Sequence, residues 1–131
     1  MILDSSAVVA ILLHERGHER LLDALVADAV VGIGAPTAAE SALVIAARLG
    51  PRARPLVAEF IREGGIEVLP FREEHAAAAL DAYLRYGKGR HKAALNFGDC
   101  LAYATAYVAQ QPLLFVGDDF AKTDIESALQ W

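Results

Sequence analysis

Four short runs of β-forming or small apolar residues, at positions 1–3, 30–34, 66–69 and 113–116, are separated along the chain by helical stretches. This alternation is the tightest constraint on the fold. Strands linked through helices pair in parallel, and a parallel sheet must be covered on both faces. Residues 7–13 are an apolar run, and within 16–28 the apolar positions 21, 22, 25 and 26 have helical spacing. Stretches 37–49 and 51–63 read as two helices divided by Gly50-Pro51, a stop signal followed by a start. Stretches 72–86 and 96–110 complete the helical set. No Ser- or Pro-rich linker and no internal repeat divides the 131 residues. The expectation is therefore one α/β domain over 1–131, a central parallel sheet with helices on both faces.

Composition narrows the function classes. A hydrophobic fraction of 55% with mean hydropathy +0.32 excludes a disordered chain. No apolar run reaches the roughly 18–20 residues that span a bilayer, so no membrane role is expected. The opening MILDSSAVVAIL carries Asp4 and lacks a basic leading region, which argues against a signal peptide and for a cytoplasmic location. One cysteine, Cys100, leaves no internal disulfide framework. A net charge of -5 poorly suits a protein that coats DNA, yet a local basic strip can still serve a nucleic-acid enzyme.

Ligand sites in open parallel sheets form beyond the carboxyl ends of the strands, and that is where the acids fall. Asp4 ends the first run, Glu40 lies in the first turn of the helix after the second, and Asp118 and Asp119 follow the fourth. Asp99 opens the helix leading into that fourth run. Each has an ordinary alternative. Asp4 suits a helix N-cap, Thr37 to Glu40 and Asn96 to Asp99 have capping-box spacing, and Asp118-Asp119 suits a turn after Gly117. Gathered round one dry cleft, however, carboxylates raise one another's pKa unless a cation neutralises them. Oxygen ligands select a hard ion, Mg²⁺ or Mn²⁺. A zinc site is poorly supported, because His14, His18, His75 and His91 show no HExxH spacing and there is a single Cys.

Immediately before Asp99, Arg85, Lys88, Arg90 and Lys92 fall within eight residues of an acidic chain. Gly87 and Gly89 mark this segment as mobile. Beside a carboxylate-held metal, such a strip suits phosphodiester chemistry, with the cations holding a substrate backbone; a solvated loop is the ordinary alternative. No GxSxG nucleophile is present, Cys100 reads as a small core residue, and Tyr103 and Tyr107 read as core or interface. A phosphotransferase with a nucleophilic Asp4 would need Asp-x-Asp, whereas the third position is Ser6. The apolar stretches 7–13 and 42–49 suit core burial or a protein contact.

The stretches MILDSSAVVAIL, TAAESALVIAARLG, YGKGRHKAALNFGDCLAYATA and QPLLFVGDDFAKTDI, in this order along the chain, also carry a resemblance. The chain resembles the PIN-domain ribonucleases, and within them the VapC toxins of bacterial toxin–antitoxin pairs. The resemblance implies a PIN fold, Mg²⁺- or Mn²⁺-dependent cleavage of RNA, a cognate VapB-type antitoxin that silences the site, and a toxin homodimer. It makes Asp4, Glu40 and Asp99 the first three acids, and Ser6 the hydroxyl that orients a metal or its water. For the fourth acid, FVGDDF departs from the Thr- or Asn-containing turn of many relatives. Asp119 is the first choice, Asp118 the second and Asp124 the third. Asp4 and Asp99 would bind the metal directly, Glu40 would act through water, and Lys88, Arg90 and Lys92 would contact RNA. RNA rather than DNA, and toxin rather than housekeeping nuclease, rest on the resemblance alone. A non-toxin PIN nuclease, or a non-catalytic PIN-like module that binds RNA or protein, is the alternative.

Overall fold

Parallel pairing of four very short strands organises the molecule, whose computed structural model describes residues 1–130. In chain order the elements are β1 (Ile2–Leu3), α1 (Ser5–Leu12), α2 (His18–Ala27), β2 (Gly32–Gly34), α3 (Ala35–Leu49), α4 (Ala53–Glu63), β3 (Glu67–Leu69), α5 (Glu73–Tyr86), α6 (Phe97–Ala109) and β4 (Leu113–Leu114). A 3-10 turn over Gly50–Arg52 joins α3 to α4, and another over Phe120–Lys122 follows β4. The sheet order is β3-β2-β1-β4, all parallel. Ile2 lies opposite Gly32 and Leu113, and Leu3 opposite Ile33 and Leu114. β1 is thus the strand at which the chain order turns back, the place where open α/β sheets leave a crevice.

The two-residue period of the strands divides the core. Leu3, Ile33 and Leu114 pack with Val8 and Ile11 of α1 and Leu21 and Leu25 of α2. Ile2 and Leu113 pack with Ala82 and Tyr86 of α5 and Ala102, Tyr103 and Ala106 of α6. Each fully buried Leu or Ile contributes about 1.5–3 kcal/mol relative to exposure. α6 comes close to β2 because its facing residues are small and because Gly34 has no side chain. A Cβ at Gly34 would stand 2.6 Å from Thr105 Oγ1.

Most of the expected elements form within two or three residues of their predicted bounds. Three differences matter. α3 begins at Ala35 with Gly34 as its N-cap, so Thr37 is inside the helix and the Thr37–Glu40 capping box does not form. Glu40 accordingly lies in the second turn, not the first. The stretch 7–13 supplies Ala7, Val8, Ala10 and Ile11 to the core, whereas 42–49 leaves Leu43 72% exposed. The segment after Thr123, unassigned from sequence, pairs with the outer side of β4: Leu113 N donates to Glu126 O at 2.8 Å and Ala128 N to Leu113 O at 2.9 Å. This covers a sheet edge that would otherwise be open. Among the described residues, no helix is long and apolar enough to cross a membrane.

Candidate active site

Asp4 leaves β1 into α1, and its backbone is fixed before its side chain acts. Its N–H donates to Leu114 O at 2.9 Å, and as the N-cap of α1 its Oδ2 accepts from Ser6 N at 3.0 Å. Ser6 Oγ donates to the same Oδ2 and itself accepts from Val116 N at 3.0 Å. The hydroxyl therefore ties the first acid to the chain leaving β4. Asp4 is 3% exposed, and its Oδ1 is buried with no hydrogen-bond partner among the described residues. Burial pushes its carboxyl pKa up, the Ser6 hydrogen bonds oppose this, and the charge of Glu40 adds to the rise.

Asp99 sits in the first turn of α6. The expected cap is real: Asn96 Oδ1 accepts from Asp99 N, and Asp99 Oδ2 accepts from Asn96 N, each at 2.9 Å. The cap uses one carboxylate oxygen and, among the described residues, leaves Oδ1 without a hydrogen bond. Desolvation raises the Asp99 pKa to about 6, against the Asn96 hydrogen bond, and the charges of Asp4, Asp119 and Glu40 raise it further. The cap and the acid cluster are therefore compatible, because they draw on different oxygens.

Glu40 reaches across from α3 to the N-terminus of α6. Its carboxylate lies over the backbone of Gly98, so close that a Cβ there would overlap Oε2 and stand 2.8 Å from Cδ. The sequence reading missed Gly98. Its only trace was a glycine in the first turn of a helix, where glycine costs helix stability without an evident return. Asp118 and Asp119 are both exposed in the turn after Gly117. The charge of Asp119 is one of those that raise the Asp99 pKa.

Asp4, Glu40, Asp99 and Asp119 thus share the carboxyl edge of β1, β2 and β4. They do not close into a cage. Among the described residues, no three His, Cys, Asp or Glu side chains are gathered tightly enough to hold one ion between them. The donor set still fits a hard divalent ion, for two reasons. The orphaned Asp4 Oδ1 is a buried anionic oxygen with no partner, and Mg²⁺ takes one or two carboxylates while keeping most of its waters.

Two features of the neighbourhood differ from a free basic strip. Arg85, half-exposed, is engaged within the protein: it donates to Tyr86 Oη at 2.7 Å and pairs with Asp124 at 3.1 Å. Asp124, the third choice for the fourth acid, also accepts from Tyr103 Oη at 2.7 Å, so it belongs to this separate network. Nor is the glycine-containing basic segment a free strap. Lys88 N donates to Leu95 O, Leu95 N to Tyr86 O, and Arg90 N and His91 N to Gly87 O, while Ala93 and Leu95 are fully buried. Backbone pairing and two apolar anchors fix the loop. Its Lys88, Arg90 and Lys92 side chains remain exposed, with Arg90 lying 5.5 Å from the Tyr83 ring centroid. Cys100 and Tyr103 are buried core residues, and Tyr107 is exposed.

The PIN domain family model matches residues 1–126. Ribonuclease VapC36 of Mycobacterium tuberculosis is 54% identical over 127 residues, covering 96% of this chain and 91% of the relative. The chain belongs to the PIN-domain family, among the VapC ribonucleases. Ribonuclease VapC30 of M. tuberculosis is 41% identical, covering 95% of each chain. The PIN fold also matches two solved structures. M. tuberculosis VapC20, described as a sarcin–ricin-loop-cleaving toxin, aligns with TM-score 0.77 and 16% identity over 95% of both chains. FitAcB from Neisseria gonorrhoeae aligns with TM-score 0.68 and 23% identity, covering 97% of this chain and 96% of that one. In this PIN domain the four-stranded parallel sheet with helices on both faces agrees with the expected architecture.

Proposed function

We propose that this chain is a Mg²⁺- or Mn²⁺-dependent endoribonuclease acting as the toxin of a VapBC-type pair. The observation that carries the metal-site reading is Asp4 Oδ1, buried and unpartnered at the strand where the sheet order turns back. An anionic oxygen in that position is costly unless a cation neutralises it. Relatives named ribonucleases, at 41% and 54% identity over nearly the full chain, support RNA as the substrate.

Asp4 and Asp99 would hold the ion directly. Ser6 fixes one oxygen of Asp4 and leaves the other free; Asn96 does the same for Asp99. When bound, the ion polarises a phosphodiester and acidifies water. Glu40, held over the start of α6, accepts a hydrogen bond from the attacking water and orients it toward phosphorus. Asp119 completes the negative edge. Lys88, Arg90 and Lys92, presented by a rigid loop, offset the acidic edge by contacting RNA phosphates. The family resemblance further implies a VapB-type antitoxin, a homodimer and action in the cytoplasm.

The test is cleavage of total RNA by the purified chain with Mn²⁺, with the new RNA ends mapped. Asp4→Asn and Asp99→Asn should each abolish cleavage while the circular dichroism spectrum is retained. Wild-type rates in both variants would sink the metal-site reading. An inert wild-type protein, together with unchanged toxicity of Asp99→Asn on expression, would favour a non-catalytic binding module.

A further inference from the structure

We infer that Gly98 is a positioning residue of the acid cluster: its missing side chain is the space in which the Glu40 carboxylate sits. This deepens the nuclease reading above and rests on it for the catalytic consequence, though not for the contact itself.

The contact is unusually direct. A Cβ added at Gly98 would overlap Glu40 Oε2 and stand 2.8 Å from Cδ and 3.1 Å from Oε1. All three terminal atoms of the side chain are therefore in the way. Real Cβ atoms do not approach a carboxylate oxygen that closely, so any residue other than glycine must push Glu40 off α6. The shift falls on the flexible end of Glu40 and not on its root, because α3 is locked on both sides of it: Thr37 and Ser41 are buried at 3% and 0% exposure. Ser41 Oγ also donates to Thr37 O at 2.8 Å.

Glycine at this position otherwise makes little sense. Gly98 lies in the first turn of a 13-residue helix, and it is not among the glycines with positive φ. Backbone conformation does not require it, and alanine would be the better helix former. Proximity to Glu40 is what remains. Over the first turn of α6, the carboxylate lies at the positive end of the helix dipole. Among the described residues the Glu40 carboxylate has no hydrogen bond or ion pair, so the Gly98 surface is its main restraint. Displacing Glu40 would leave Asp4 and Asp99 in place and remove the group that orients water.

A double-mutant cycle on the full chain tests this, read by melting temperature and by RNA cleavage with Mn²⁺. Gly98→Ala alone should leave the melting temperature nearly unchanged, because the flexible end of Glu40 swings aside, and reduce kcat by more than tenfold, with KM changed less than threefold. In a Glu40→Ala background the same Gly98→Ala change should raise the melting temperature, because the clash is gone and the helix-propensity gain remains. In a Glu40→Asp background, whose carboxylate is one methylene shorter, Gly98→Ala should cost no further activity. An equal gain in melting temperature on Gly98→Ala with and without the Glu40 side chain would overturn the inference. So would a Gly98→Ala enzyme with wild-type kcat. If the wild-type chain fails to cleave RNA, the nuclease reading fails while the difference in melting-temperature gain between the two backgrounds still decides the contact.

Discussion

The Ser6 hydroxyl bridges Asp4 Oδ2 and the Val116 amide, 110 residues away in sequence, so the first acid and the chain leaving β4 are held by one oxygen. Removing that oxygen takes one of the two hydrogen bonds from Asp4 Oδ2, leaving the one from Ser6 N, and strips the Val116 amide of its acceptor. Ser6→Ala should therefore cost about 1–3 kcal/mol in urea unfolding and reduce cleavage. Ser6→Thr keeps the hydroxyl and should cost less on both measures. Equal stability of Ser6→Ala and the wild type would show that the bridge does not hold Asp4.

Asp99 gives a pH signature in metal-free protein. Its folded pKa of about 6 lies above the ordinary value of 3.8, so folding favours the neutral acid. The stability it contributes is complete below about pH 4 and is lost as the pH rises to about 6. The melting temperature of the wild type should fall relative to Asp99→Asn across that window, and added Mn²⁺ should reverse the difference by favouring the ionised form. Parallel melting curves from pH 4 to about 6.5 would count against the strained carboxylate.

The two aspartates after β4 differ in their reach. Asp119 raises the Asp99 pKa, whereas Asp124 is engaged by Tyr103 and Arg85. Asp119→Asn should lower cleavage at least tenfold, and Asp124→Asn should leave it within a factor of two. Tyr103→Phe should destabilise the fold by about 1 kcal/mol through its lost hydrogen bond, again with cleavage intact. A larger loss of cleavage in Asp124→Asn than in Asp119→Asn would reverse the assignment.

Lys88, Arg90 and Lys92 are exposed on a loop whose backbone is fixed. Changing all three to Ala should leave the melting temperature almost unchanged. It should also weaken RNA binding with a salt slope shallower by about 2, since single strands give roughly 0.7 per phosphate contact. An unchanged slope would return the loop to a solvated role.

The alternation of strand-like and helical runs determined the class of fold, because period and breaker residues are local and survive in one dimension. Asp4 and Asp99 were legible for the same reason: a charge in an apolar run stands out. Their capping geometry was legible too, and it proved to coexist with the cluster. What the sequence did not determine was sheet order. Parallel pairing puts all the carboxyl ends on one edge, but the placement of β1 between β2 and β4 is what makes the ends leading to Asp4, Glu40 and Asp119 neighbours, and that order follows from long-range packing of α1 and α2 on one face and α5 and α6 on the other. The same holds for Arg85 and Asp124, whose opposite charges lie 39 residues apart and cancel only once α5 meets the C-terminal segment. Gly98 is the sharpest case: as a letter it signals a weak helix start, and only the arrival of Glu40 from α3 shows that its empty side is occupied.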